Sequence, residues 1–277
     1  MNDEVSVRSN RWRRARKALA ASAMTLALCL GGGIAAAPAQ AAAATNWCTY
    51  GAVISARGTD APAGSGSMHE GRLYNSGGWN GGLNVVKSLL TDYSSVPYAF
   101  YALRYPAAGA TYGGSVGEGV NNLVTEINFM VEQCGNYTPA IILLGYSQGA
   151  DVVSQAAMSS KLTNRAKGAI LAVADVANPH YSPFQPYNAP GAATGGSGRL
   201  GQYNDNQKGT LAGMKYWGFP PPGGSQGWVY RVRSWCTDGD QWCASGNGPN
   251  AGNIHADAMQ NASTAVKDWI DYMATSF

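Results

Sequence analysis

Residues 145–149 read Gly-Tyr-Ser-Gln-Gly, a serine with glycine two places to either side, set just after the apolar run Ala140 to Leu144. In a G-x-S-x-G turn between a strand and a helix, the serine is held in a strained backbone conformation and the bend leaves no room for flanking side chains. Gly145 and Gly149 supply that room. The Ser147 hydroxyl then projects above the carboxyl edge of the sheet, beside a helix N-terminus that favours developing negative charge. An ordinary helix N-cap is the plain alternative, and the strand-turn-helix setting favours a nucleophile over it.

A serine hydroxyl attacks only once a base removes its proton, and histidine is the usual base. The chain has three, His69, His180 and His255. In folds of this class the order is serine, acid, histidine, which removes His69. His180 lies just beyond the fourth apolar strand, five residues after Asp175, and reads as a loop or rim residue. His255, after the fifth strand and just before the final helix, is the expected base. The acid must come from a rigid loop between Ser147 and His255, where it orients the imidazole and stabilises its charged form. The segment "CTDGDQWC" (236–243) offers Asp238 and Asp240. The residues alone do not separate them, and one of the two must be a solvated turn residue.

These side chains need a scaffold. Apolar runs at 51–56, 96–103, 140–144, 169–176 and 228–234 read as five strands. Between them, Leu83, Val86, Leu90 and Tyr93 mark a helix, as do Val120, Leu123, Val124, Ile127, Met130 and Val131. A further helix starts near Ser147, and the last carries Ala262, Val266, Trp269, Ile270 and Met273. Continuous apolar strands imply a sheet covered on both faces, with helices as right-handed crossovers. The expected fold is a three-layer α/β sandwich around a mostly parallel five-stranded sheet. From Pro179 to Gly227 the chain is dense in Gly, Pro, Asn and Tyr without a clear period, and reads as ordered surface loops on the sheet edge. Within it, "GAATGGSG" (191–198) lacks the Lys-Ser/Thr ending and preceding strand of a phosphate cradle.

Arg11, Arg13, Arg14, Arg16 and Lys17 precede the apolar stretch Ala18 to Ala37 and then Ala39-Gln40-Ala41, the pattern of a secretory leader cleaved after Ala41. No cationic stop-transfer cluster follows, which disfavours a membrane anchor, and the Arg13-Arg14 pair leaves twin-arginine export open. With the leader go six cations and two acids, so 19 basic and 16 acidic side chains become 13 and 14. A near-neutral mature chain, 42–277, disfavours a nucleic-acid partner and a polybasic membrane patch, and its length fits one large monomeric domain. Of five cysteines, Cys29 leaves with the leader. The remaining four allow three pairings in an oxidising compartment. Cys236 and Cys243 are close enough to clip a short loop, which leaves Cys48 with Cys134 as a long-range staple. A metal site at 236–243 is disfavoured by the wide spacing and the lack of completing ligands.

The chain resembles the cutinase family of serine esterases, which includes acetylxylan esterases. The resemblance rests on "SARGTD" (55–60) after the first strand, on "GYSQGA" (145–150), and on "CTDGDQWC" followed by a histidine. The family's clipped loop places the catalytic acid directly after the glycine, which selects Asp240. The family also pairs an early cysteine with one before the nucleophile strand, in agreement with Cys48 and Cys134. The resemblance implies an oxyanion hole formed by Thr59 and the backbone N–H of Gln148; Thr59 would otherwise read as a turn residue.

The expectation is thus a secreted esterase acting through an acyl-enzyme, with Ser147, His255 and Asp240 as its triad and no metal or organic cofactor. Cutinases acting on waxy polyesters usually carry apolar residues in the loop before the catalytic histidine. Here that loop, "ASGNGPNAGNIH" (244–255), is mostly polar or glycine, closer to the polysaccharide-deacetylating branch. Trp79, Trp217, Trp235 and Trp242 offer stacking faces for sugars or an apolar bed for acyl chains, unless they are core. Ester substrates therefore include short or medium acyl esters, cutin-like polyesters and acetylated xylan. A non-catalytic glycan-binding protein, or a peptidase or lipase on the same scaffold, are the alternatives.

Overall fold

The computed structural model describes residues 46–219 and 225–276. The expected leader lies outside the described residues. A short helix α1 (Asn46–Tyr50) leads into β1 (Ala52–Ala56), followed by α2 (Gly82–Tyr93), β2 (Ala99–Ala102), α3 (Tyr112–Gln133) and β3 (Ile141–Tyr146). Then come α4 (Gln148–Met158), α5 (Asn164–Ala169) and β4 (Ile170–Val176). The chain closes with α6 (Asp205–Gly213), β5 (Lys215–Gly218), β6 (Gly227–Tyr230), β7 (Val232–Trp235) and α7 (Ala251–Ser276).

Five strands form one parallel sheet in the order β2-β1-β3-β4-β7. Side chains alternate across it as the pleat dictates. Ile141 and Leu143 of β3 enter the core shared with α3 and α4, whereas Ile142 and Leu144 enter the core shared with α2 and α7. Because both faces are covered, β3 and β4 carry apolar side chains at nearly every position, Asp175 of β4 being a buried exception, which is why they read as apolar runs. Leu83, Val86 and Leu90 of α2 are buried at helical spacing, and Met259, Val266, Trp269, Ile270 and Met273 of α7 line the same layer. The result is the expected three-layer α/β sandwich.

Two expectations change. The run 228–234 is not one strand. At Arg231 the chain switches partners: the Arg231 N–H donates to Met214 O (2.7 Å) and its carbonyl accepts from Val173 N (2.7 Å). Before that point, β6 pairs antiparallel with β5; after it, β7 joins the main sheet. The Pro179 to Gly227 region accordingly holds α6 and β5 as well as loops. Its loops do pack on the sheet edge, with Ala189 N donating to Ser234 O and Ala193 N to Cys236 O, both at 2.8 Å. Trp217 and Trp228 stand exposed on the β5–β6 ribbon.

The disulfide Cys48–Cys134 joins α1 to the end of α3 across 86 residues, and beside it the buried Trp47 indole donates to Met130 O (3.2 Å). Among the described residues no helix is long and apolar enough to cross a membrane. A bridge closing so long a loop restricts the unfolded chain strongly, so replacing both cysteines with serine is expected to reduce unfolding free energy by about 4 kcal/mol. Chemical denaturation reads this directly; a loss below about 1 kcal/mol would contradict it.

Candidate active site

Ser147 sits between β3 and α4 with φ 55° and ψ −120°, a left-handed backbone that a non-glycine residue adopts only under constraint. The constraint is contact. A Cβ on Gly149 would stand 2.0 Å from Ala56 O, and one on Gly145 would stand 2.4 Å from Gly149 O. The end of β1 is therefore pressed against the first turn of α4, and only glycine lets the elbow form. Ser147 N donates to Val176 O (2.9 Å), which ties the elbow to the end of β4.

His255 reaches this point from the other side of the sequence. Its Nε2 lies 2.9 Å from Ser147 Oγ. Its Nδ1 lies 3.0 Å from each carboxylate oxygen of Asp240. Contrary to expectation, His255 lies within the last helix, because α7 begins at Ala251. The ring is thus carried on rigid helical backbone. Tyr146, between the motif glycine and the serine, stacks on the imidazole (5.5 Å between centroids, 27°) and donates its hydroxyl to His255 O (2.7 Å). Burial, with the nearby Asp240 and Asp257 charges, pushes the Tyr146 phenol up to about 12, so it remains a donor at neutral pH.

Asp240 is fully buried, whereas Asp238 is exposed. Asp240 Oδ1 accepts from Trp242 N (2.7 Å) and Cys243 N (2.9 Å) inside the loop closed by the Cys236–Cys243 disulfide. These two backbone donors fix the direction of the carboxylate. Gly239, with φ +82°, makes the turn that aims it inward. Asp238 faces outward and clamps the glycine-rich loop instead, accepting from Thr194 N (3.2 Å) and Gly195 N (3.3 Å).

Thr59 lies on an exposed turn after β1. A Cβ on its neighbour Gly58 would meet the Tyr146 ring at 2.9 Å and Ser147 Cβ at 3.5 Å, so this turn abuts Ser147. Buried Arg57 holds the turn, donating to Ala61 O (2.9 Å), Tyr105 O (2.7 Å) and Pro106 O (3.0 Å), while Tyr105 Oη donates to Arg57 O. Gln148 opens α4, where a first-turn N–H has no intrahelical acceptor. Its side chain is buried, accepting from Ser115 Oγ (3.0 Å) and donating to Ala108 O (3.2 Å). Arg57 and Tyr146 lie within the two motifs already singled out, but their neighbours become visible only in three dimensions.

The other histidines are elsewhere. His69 Nδ1 lies 2.6 Å from the buried Glu126 carboxylate, which also pairs with Arg72 (2.8 Å). His180 stacks on Tyr203. Of the tryptophans, Trp242 approaches His255 (6.5 Å between rings), Trp79 packs on Phe100 and Trp235 on Trp269. Among the described residues, no group of three or more His, Cys, Asp or Glu is placed to hold a metal ion.

Beneath the elbow lies a second carboxylate. Asp175, paired with Gly145 across the β3–β4 ladder, is fully buried and accepts from Ser154 Oγ (2.6 Å) and Asn178 Nδ2 (2.8 Å). Burial raises its pKa from 3.8 to about 7; the bonds from Ser154 and Asn178 oppose the shift and the Asp151 charge adds to it. Because the folded-state value exceeds the unfolded one, the stability this group contributes is complete below about pH 4 and lost as pH rises through about 7. The full swing is on the order of 4 kcal/mol. Asp175→Asn cannot ionise, so its melting temperature relative to wild type is expected to climb between pH 4 and 7.5; a pH-independent difference would refute this.

The cutinase family model matches residues 47–273. Cutinase 11 of Verticillium dahliae is 27% identical over 165 residues, 53% of this chain and 48% of its own length, so the chain spans about half of that relative. The catalytic core domain of acetyl xylan esterase from Trichoderma reesei shares the fold with TM-score 0.56 at 24% identity, over 80% of this chain and 97% of the other. A cutinase-like protein from Cryptococcus sp. does so with TM-score 0.56 at 20% identity, over 83% and 97%. The family match runs from the first described helix almost to the end of the last and includes every loop that meets at Ser147: the chain belongs to the cutinase family.

Proposed function

We propose that the protein is a secreted serine esterase that hydrolyses carboxylic esters through an acyl-enzyme. The observation that carries this reading is the continuous hydrogen-bonded line from Asp240 through both ring nitrogens of His255 to Ser147 Oγ, every link at 2.9–3.0 Å. Asp240 accepts a hydrogen bond from Nδ1–H, which leaves Nε2 as the base. Ser147 loses its proton to Nε2 as Oγ bonds to the ester carbon; the same proton then passes to the departing alcohol. Water, deprotonated by His255 in turn, releases the acid and restores the serine. Developing oxyanion charge falls to Gln148 N–H and Thr59, groups set in place by Arg57, Ser115 and Gly58 before substrate arrives, and one such donor is worth about 3 to 4 kcal/mol of barrier.

Residues 1–41 serve as the export leader in this reading, and 42–277 form one monomeric domain. Two disulfides are consistent with an oxidising compartment. The natural ester is a short or medium acyl ester or cutin-like polyester, or else acetylated xylan. Acetate release from acetylated xylan, set against cleavage of a longer-chain polyester at equal enzyme, decides between them.

Purified mature protein is expected to cleave p-nitrophenyl acetate or butyrate, and Ser147→Ala to lose at least about 10³-fold in kcat. Asp240→Asn should lose about 10⁴-fold. Asp238→Asn, outside the hydrogen-bonded line, should stay within about tenfold of wild type. Turnover that survives Ser147→Ala, or equal losses for the two aspartates, would refute the assignment.

A further inference from the structure

The β5–β6 ribbon presents a surface that the hydrolytic steps above do not use. Side chains alternate between the two faces of a strand, so a ribbon laid on a core buries one face and solvates the other. Tyr216 and Val229 turn inward and pack with the core shared by α2 and α7. Lys215, Trp217 and Trp228 turn outward, and Phe219, just beyond β5, continues the same alternation. Trp217 and Trp228 are cross-strand partners, 56% and 50% exposed, and Phe219 is 65% exposed. The face that water would be expected to claim is thus mostly aromatic.

Cations border it. Lys215 Nζ stands 4.3 Å from the centre of the Trp228 ring; a ring face attracts an ammonium without neutralising it. Lys215 also lines a pocket of about 370 Å³ together with Lys167, Thr210, Met214 and Arg231, and no carboxylate lines that pocket. Among the described residues, the lysines in ion pairs are Lys208 and Lys267, so the charges of Lys167 and Lys215 are left for an outside anion. Lys167 comes just before β4 and Arg231 just before β7, which places this surface at the amino edge of the sheet, whereas Ser147 follows β3 at the carboxyl edge.

The geometry narrows the occupant. The Trp217 and Trp228 rings cross at 86° and Lys215 covers one face of Trp228, so they form no flat platform for a sugar chain. The three exposed rings offer on the order of 400 Å², half of the roughly 800 Å² that each partner brings to a stable protein pair. Tryptophan beside lysine suits the headgroup layer of a bilayer, where an amphipathic ring sits between acyl chains and water and an ammonium reaches phosphate. The pocket lysines would there meet the negative surface potential of acidic lipid.

We propose that the β5–β6 ribbon and the adjoining cationic pocket dock the protein on a membrane containing anionic phospholipid. Trp217, Phe219 and Trp228 enter the headgroup layer, and Lys167 and Lys215 meet lipid phosphates. Among the described residues no helix is long and apolar enough to cross a membrane, and the expected mature chain is near neutral, so the attachment is peripheral, reversible and confined to this edge. It turns Ser147 away from the lipid and does not rest on the esterase reading.

Flotation of the mature protein with phosphatidylcholine vesicles, with and without phosphatidylglycerol, tests the surface. Wild type is expected to float with the phosphatidylglycerol vesicles and to detach as salt rises. Trp217→Ala combined with Trp228→Ala should weaken partition at least about tenfold. Lys167→Gln combined with Lys215→Gln should weaken it about tenfold and remove the preference for phosphatidylglycerol. Lys87→Gln combined with Arg104→Gln, which removes two charges beside β2 at the opposite edge of the sheet, should float like wild type. The altered side chains point outward, so melting temperatures should stay close to that of wild type; if the tryptophan pair unfolds, Phe219→Ser carries the same expectation. Wild type that stays off both kinds of vesicle, tryptophan variants that float equally well, or equal losses for the two cation pairs would overturn the proposal. Self-association by sedimentation that the tryptophan variants abolish, without flotation, would assign the face to a second copy instead.

Discussion

The backbone at Ser147 is the constraint on which the rest of the structure depends. A non-glycine residue at φ 55° is strained by about 1 to 3 kcal/mol. It persists because its neighbours leave no alternative: the end of β1 blocks Gly149, the first turn of α4 blocks Gly145, and β4 takes the Ser147 N–H. Those contacts exist only if three parallel strands end at one level with a helix starting directly above them. The apolar sandwich that holds the sheet between two helical layers also fixes one hydroxyl in space.

Around that point, the rigidity of each partner has a separate source. Asp240 is held by two backbone donors and a disulfide-closed loop, His255 by a long helix, and the Thr59 turn by the buried Arg57 guanidinium. None of these relies on substrate for its placement. Groups already oriented toward developing charge need not reorganise during the reaction, and that is the main electrostatic advantage a folded site has over water. Tyr146 serves both sides, being part of the elbow and the surface on which the imidazole rests.

Polar content continues below and beside the elbow. Asp175 and Asp151 are both buried near Ser147, joined through Asn178 and Tyr203. Such networks are sharply sensitive to whether each member is satisfied. Asp175 accepts from Ser154 and Asn178 and takes up a proton more readily than an exposed carboxylate, whereas Asp151 collects three side-chain donors. Asp240 and Asp238 show the same divergence within one loop, since Gly239 between them turns one carboxylate into the core and leaves the other at the surface.

The sequence by itself determined the layered α/β fold, because strands buried on both faces are apolar at nearly every position and helices carry their own period. It marked Ser147 and its glycines through the geometry of one sharp turn; chain order set aside His69, and the place of His180 just beyond the fourth strand left His255 as the expected base. It did not reveal that His255 rides on a helix, that 228–234 breaks at Arg231, or that α6 and the β5–β6 ribbon occupy the glycine-rich region, since each depends on which partner the backbone finds across long separations. Between Asp238 and Asp240 local residues were neutral, and a family pattern was needed to choose. The roles of Arg57, Tyr146, Asp151 and His180 were set only by tertiary structure: what a polar side chain does depends on what stands within about 3 Å of it, and those neighbours come from segments that sequence periodicity cannot bring together.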